Sequence, residues 1–193
     1  MAHSWHSRSG EKIKSPYFMK TLLSLTLALS LGGASLISSA RPTYAAETAA
    51  QRAGRAAIVA AYKKQAQATV KKDANAIMSF VAPDYQMFML DGTTLNRART
   101  DAMMRQTMSE ESRVSLTYLK ATPRIVSLTW RGKDAIVVVE MTGSGTIRSG
   151  QRSERFEQVV LSRDFWSSSP RAWKMRQQVE RISKFWVNGQ RIR

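Results

Sequence analysis

At Arg113 the chain changes period. Before it, apolar residues return at steps of three and four; after it, they alternate with polar residues almost to the C-terminus. A chain whose helices mostly precede its strands does not read as the repeated strand–helix–strand units of a parallel sheet. It is confined to an α+β arrangement, with helices gathered on one face of an antiparallel sheet.

The helical part divides into three. From Thr48 to about Lys72, Ile58, Val59, Tyr62, Ala66, Thr69 and Val70 form a narrow stripe on one long helix, with Lys63, Lys64, Lys71 and Lys72 mostly off it. Asp73 is placed to cap a short second helix, ANAIMSFV, which Pro83 stops. A strand over Tyr85–Leu90 and an Asp91-Gly92 turn follow. Thr93 or Thr94 then caps a third helix from Leu95 to about Ser109, its inner side carrying Ala98, Met103, Met104 and Met108. Beyond this, RVSLTYL, RIVSLTW, DAIVVVEMTGSGTI, SERFEQVVLSRDFW and AWKMRQQVERISKFW read as strands. Arg131-Gly132-Lys133 and SSSPR mark hairpin turns, and Gly143-Ser144-Gly145 suits a bulge or bend inside a long strand.

The 193 residues accommodate one domain behind a leader. Residues 1–45 read as a secretory signal, with an n-region over 1–20 and an h-region over 21–37. Thr21–Ala40 holds no charge, LLSLTLALSL follows Lys12, Lys14 and Lys20, and Thr43-Tyr44-Ala45 supplies small residues for cleavage after Ala45, with Ala40 the second choice. Five Ser, two Gly and two Thr in Thr21–Ala40 make a poor permanent span, so membrane contact is expected only in transit. Met19 is an alternative start to Met1. The expected product is an exported domain over 46–193, periplasmic or secreted.

Two absences restrict its chemistry. There is no Cys, and the two His, His3 and His6, precede the signal core. The domain must stand without disulfides, and Ser-His-Asp triads, Cys nucleophiles and Cys/His zinc sites are ruled out. No metal site or cofactor motif is present, and TGSGTI lacks the context of a phosphate loop. The whole chain has a formal charge of +16; setting aside five basic residues and one acid in the leader leaves +12. That field attracts anions, but no nucleic-acid-binding signature accompanies it.

AAIVAAYKKQAQATVKKDANAIMSFVAPDYQMFMLDG resembles the opening of nuclear transport factor 2-like domains: helix, acidic cap, A-I-x-x-F/L-x-A-x-D-Y, strand, D-G. RFEQVVLSRDFWSSSPRAWKMRQQ resembles their closing hairpin, and the nearest subgroup is the SnoaL-like, polyketide-cyclase-like set. The resemblance covers about residues 48–187. It implies a cone of three N-terminal helices packed in a curved antiparallel sheet around an apolar pocket, and a homodimer formed through the outer sheet face. Members include ketosteroid isomerases, whose sites need a carboxylate base on the opening strand and a helical Tyr beside a protonated Asp. Here Tyr62 matches the helical Tyr, Met89 falls at the base position, and SERFEQVVLS offers no Asp for the second role.

These readings make Tyr62, Tyr85, Met87, Met89, Glu140, Glu157 and Gln177 the candidate pocket residues. Glu140 shares a face with Ile136 and Val138, Glu157 with Val159 and Leu161, and Gln177 with Trp173, Met175 and Val179. The expected function is binding of a small apolar or anionic ligand, with no recognisable catalytic set. The alternatives are a His-free lyase, cyclase or isomerase using Tyr62 with Glu140 or Glu157, and a basic adaptor for anionic envelope polymers or a protein partner.

Overall fold

The computed structural model describes residues 46–169 and 172–192. The expected leader with its cleavage site and two His lies outside them, as do Pro170, Arg171 and Arg193.

Helix α1 (Ala49–Val70) starts at a capping box: Thr48 and Gln51 satisfy each other's backbone N–H groups. Ile58, Ala61, Tyr62 and Ala66 are its buried stripe. Asp73 caps α2 (Ala74–Met78) by accepting from the Ala76 N–H. Strand β1 (Val81–Phe88) begins four residues earlier than the sequence pattern implies, because Val81 and Ala82 are buried and Val81 pairs with Met175 ahead of Pro83. Asp91 accepts from the Thr93 N–H, and Gly92 takes φ of 84°, which closes the turn. The residues expected to open the next helix instead form β2 (Thr94–Asn96), paired with β1. Asn96 is therefore the cap of α3 (Arg97–Met108), accepting from the Arg99 N–H.

Four long strands follow: β3 (Val114–Arg131), β4 (Asp134–Ser149), β5 (Arg152–Ser168) and β6 (Trp173–Val187), with a short β7 (Gln190–Ile192) folded back on β6. The two segments expected ahead of Arg131 are one strand, bent by bulges at Leu119 and Val126. The sheet order is β2-β1-β6-β5-β4-β3. It is mixed rather than wholly antiparallel, since β1 pairs parallel to β6, with β2, α3 and the strands β3, β4 and β5 between them in the chain.

The curved, unclosed sheet wraps α1. Ile58 and Tyr62 meet Val137, Val139, Trp166 and Met175 in the main core. Full burial of each aliphatic side chain contributes about 1.5–3 kcal/mol. A second cluster, Leu116, Phe156 and Phe185, fills the other end, with Phe156 stacked on Phe185. The Gly-Ser-Gly segment is not itself bulged. A Cβ at Gly143 would lie 2.8 Å from the Tyr118 ring, and one at Gly145 2.0 Å from the Thr117 carbonyl oxygen. The glycines let β3 cross closely over β4, and the bulge is on the partner strand.

β3 is the edge opposite β2. Pro123 lies in its middle, and the bulged Leu119 and Val126 are 70% and 49% exposed.

Candidate functional site

Between α1, α3 and the concave face of the sheet lies a cavity of about 680 Å³. This falls within the usual range for small-molecule sites. Met78, Met87, Met89, Met103, Met104 and Met141 give it a soft wall, joined by Val114, Leu116, Val139, Val160 and Phe185.

Its polar end is built by Tyr62 on α1 and by β5. Ser162, Asp164 and Trp166 alternate inward along that strand. The Tyr62 hydroxyl donates to Asp164 Oδ2 at 2.6 Å and accepts from Trp166 Nε1 at 3.0 Å. The Tyr62 and Trp166 rings meet edge to face. A second chain runs across the strands: Tyr85 Oη donates to Gln178 Oε1 at 2.8 Å, and Gln178 Nε2 donates to Ser162 Oγ at 3.4 Å.

Asp164 is fully buried, yet its Oδ1 has no protein partner. Burial pushes its pKa up to about 7, against the lowering pull of the Tyr62 and Ser162 hydroxyls. Ser162 is close enough to exert that pull but makes no hydrogen bond to Oδ1 of acceptable geometry. Near neutral pH the group is therefore divided between a carboxylic acid, which can donate through Oδ1–H, and a carboxylate, which can only accept. Burial next to this carboxyl also raises Tyr62, and burial raises Tyr85, so both phenols stay protonated. A second carboxyl, Glu180, lines the cavity beyond Ser162; burial raises it, the Leu90 N–H opposes the shift, and nearby Asp91 adds to it.

The sequence-derived candidates separate into two groups. Tyr62, Tyr85, Met87 and Met89 all line the cavity. Glu140, Glu157 and Gln177 are absent from its wall. The inward face of β4 carries Ala135, Val137 and Val139, so Glu140 points outward, where Arg124 pairs with it at 3.0 Å and holds its carboxyl below the usual range. On β5 the inward set is Phe156, Gln158, Val160, Ser162 and Asp164, leaving Glu157 exposed on the opposite face. On β6 a bulge at Arg176 breaks the alternation: Trp166 pairs with Met175 but Phe165 with Gln177. The inward positions thereby shift to Gln178 and Glu180, and a second bulge at Arg181 shifts them to Ser183 and Phe185. Asp164 was missed although SRDFW continues the inspected strand. Its signal was an acid alternating with two residues of apolar character, Val160 and Trp166, and with Ser162.

Among the described residues no three His, Cys, Asp or Glu side chains gather to hold a metal. No helix there is long and apolar enough to cross a membrane.

The architecture matches solved structures. A conserved protein from Planctomyces limnophilus aligns at a TM-score of 0.55 and 16% identity over 68% of this chain and 97% of its own. A type 2 hexachlorocyclohexane dehydrochlorinase aligns at 0.55 and 13%, over 72% of this chain and 90% of its own. A candidate scytalone dehydratase from Novosphingobium aromaticivorans aligns at 0.52 and 7%, over 69% and 88%. What these structures share with the chain is the α+β arrangement of a curved sheet around a long helix that the sequence resemblance implied; identities this low carry the fold and no more. No protein-family profile and no curated protein matches the chain.

Proposed function

We propose that this domain holds a small, largely apolar molecule and grips one of its oxygen atoms at the Asp164 end of the cavity. The observation that carries the reading is the buried, unpartnered Oδ1 in an otherwise apolar wall. A buried polar atom left without a partner costs about 1–3 kcal/mol, and a ligand hydroxyl or carbonyl removes that penalty. Native mass spectrometry of the protein from its own host, with thermal shifts across apolar alcohols and ketones, tests it. A bound molecule is expected, with stronger stabilisation by oxygen-bearing ligands than by a hydrocarbon of the same shape, an excess that Asp164→Ala should lose. An empty cavity in the spectrum and no shift across the panel refute it.

A second reading, proton-transfer chemistry of the lyase or isomerase type, is favoured by two cavity carboxyls that both ionise less readily than usual. The names of the dehydrochlorinase and dehydratase relatives by fold point the same way. In it Glu180 accepts the proton and Asp164, held by Tyr62, donates one. Carboxyl NMR titration that finds both groups in the ordinary range removes it.

Export of residues 46–193 and pairing of two copies through the outer sheet face are parts of the same proposal. The half-buried Ile136, Val138, Val159 and Leu161 on that face support the pairing. N-terminal sequencing of the secreted protein and sedimentation measure the two.

A further inference from the structure

The chain carries 30 Lys and Arg residues, yet among the described residues Arg113 is the one basic side chain in the cavity wall. It sits in the turn between α3 and β3 and is exposed to solvent. It takes part in none of the ion pairs among the described residues. Thr107, Ser112 and Ser149 line the same end with hydroxyls.

The two acids lie elsewhere. Asp164 pairs in register with Val137, whereas Val114, next to Arg113, pairs with Ser149. From Val137 to Ser149 the path along curved β4 is roughly 40 Å of strand. On α1 the lining runs from Tyr62 to Thr69, roughly 10 Å of helix. The cavity is thus elongated, with carboxyls toward one end, a lone cation at the other and a methionine wall between them.

On these grounds we infer that the natural ligand is an apolar chain with a singly charged carboxylate at one end, held by Arg113 and the neighbouring hydroxyls, and a neutral hydroxyl or carbonyl at the other. This rests on the ligand-pocket reading and names its chemical class. One guanidinium matches one negative charge, and it offers a carboxylate two parallel hydrogen bonds. The reverse orientation sets the anion against Asp164 and Glu180, so charge fixes which end goes in first. The basic exterior draws such anions toward the protein.

The probes are ω-hydroxydecanoate and ω-hydroxydodecanoate, with decanediol and dodecanediol as uncharged counterparts, titrated calorimetrically into the full chain. The wild type is expected to bind the hydroxy acid about tenfold more tightly than the diol, the scale of one charge-assisted hydrogen bond. Arg113→Gln is expected to remove that advantage and leave diol binding within about twofold. Its thermal midpoint, read in parallel, reports folding. Equal wild-type affinity for acid and diol, or an equal loss of both in Arg113→Gln, overturns the inference while leaving the pocket reading standing. Failure of every probe to bind the wild type overturns both.

Discussion

Asp164→Asn isolates the group on which the site depends. In the folded chain the carboxyl has a pKa of about 7, against an ordinary value of 3.8. Between those values the folded state keeps a proton that the unfolded chain has released. The proton-linked contribution is therefore full below about pH 4 and is lost as pH rises through 7. A rise of roughly three pKa units corresponds to on the order of 4 kcal/mol. Asparagine keeps the shape and an oxygen to accept from Tyr62, but it does not titrate. Near pH 4 the variant and wild type should differ by about 1 kcal/mol or less, the scale of one hydrogen bond. By pH 8 the variant should be the more stable, by up to about 4 kcal/mol relative to that baseline. Urea unfolding of both ligand-free proteins from pH 4 to 8 gives the difference curve, in which the titration of Glu180 cancels. A difference independent of pH would show that Asp164 ionises normally, and the account of a protonated, unpartnered carboxyl would fail.

Tyr62→Phe removes the donor to Asp164 and the acceptor for Trp166 together; a loss of about 2–4 kcal/mol is expected by denaturant unfolding, and NMR should find the Asp164 carboxyl titrating still higher. Gly145→Ala drives a Cβ to 2.0 Å from a backbone oxygen of β3, so the β3–β4 pairing must part locally; at least about 3 kcal/mol should be lost, and a drop in melting temperature of only a degree or two contradicts the close crossing. Glu140→Gln breaks an exposed pair with Arg124 and should leave the urea midpoint of unfolding nearly unchanged without altering ligand affinity in calorimetry.

The change of period at Arg113 made the α+β class legible, because a sheet with one solvated face imposes alternation on its sequence. Tyr62 was legible for the same reason: it sits on the stripe of α1 that the sheet covers. Strand faces were harder. Along β4 both faces are apolar, so Ile136 and Val138 gave Glu140 the company of core residues while the true inward set was Val137 and Val139. Along β6 alternation could not be extrapolated at all, because bulges at Arg176 and Arg181 each reverse it, and a bulge is set by the partner strands rather than by local composition. Pairing of β1 with β6 was equally hidden: the contact is parallel and joins segments separated by α3 and three long strands.

The outer margin of β3 bears on how this protein behaves when crowded. Eighteen residues of strand end the sheet there, long enough for a neighbouring chain to add itself as one more strand. Pro123 can donate no bond across that margin, the kinks at Leu119 and Val126 spoil the straight run a newcomer would need, and Lys120 and Arg124 bring like charges face to face if two such margins meet. A domain without disulfides to lock it is thereby kept from polymerising through its longest exposed strand.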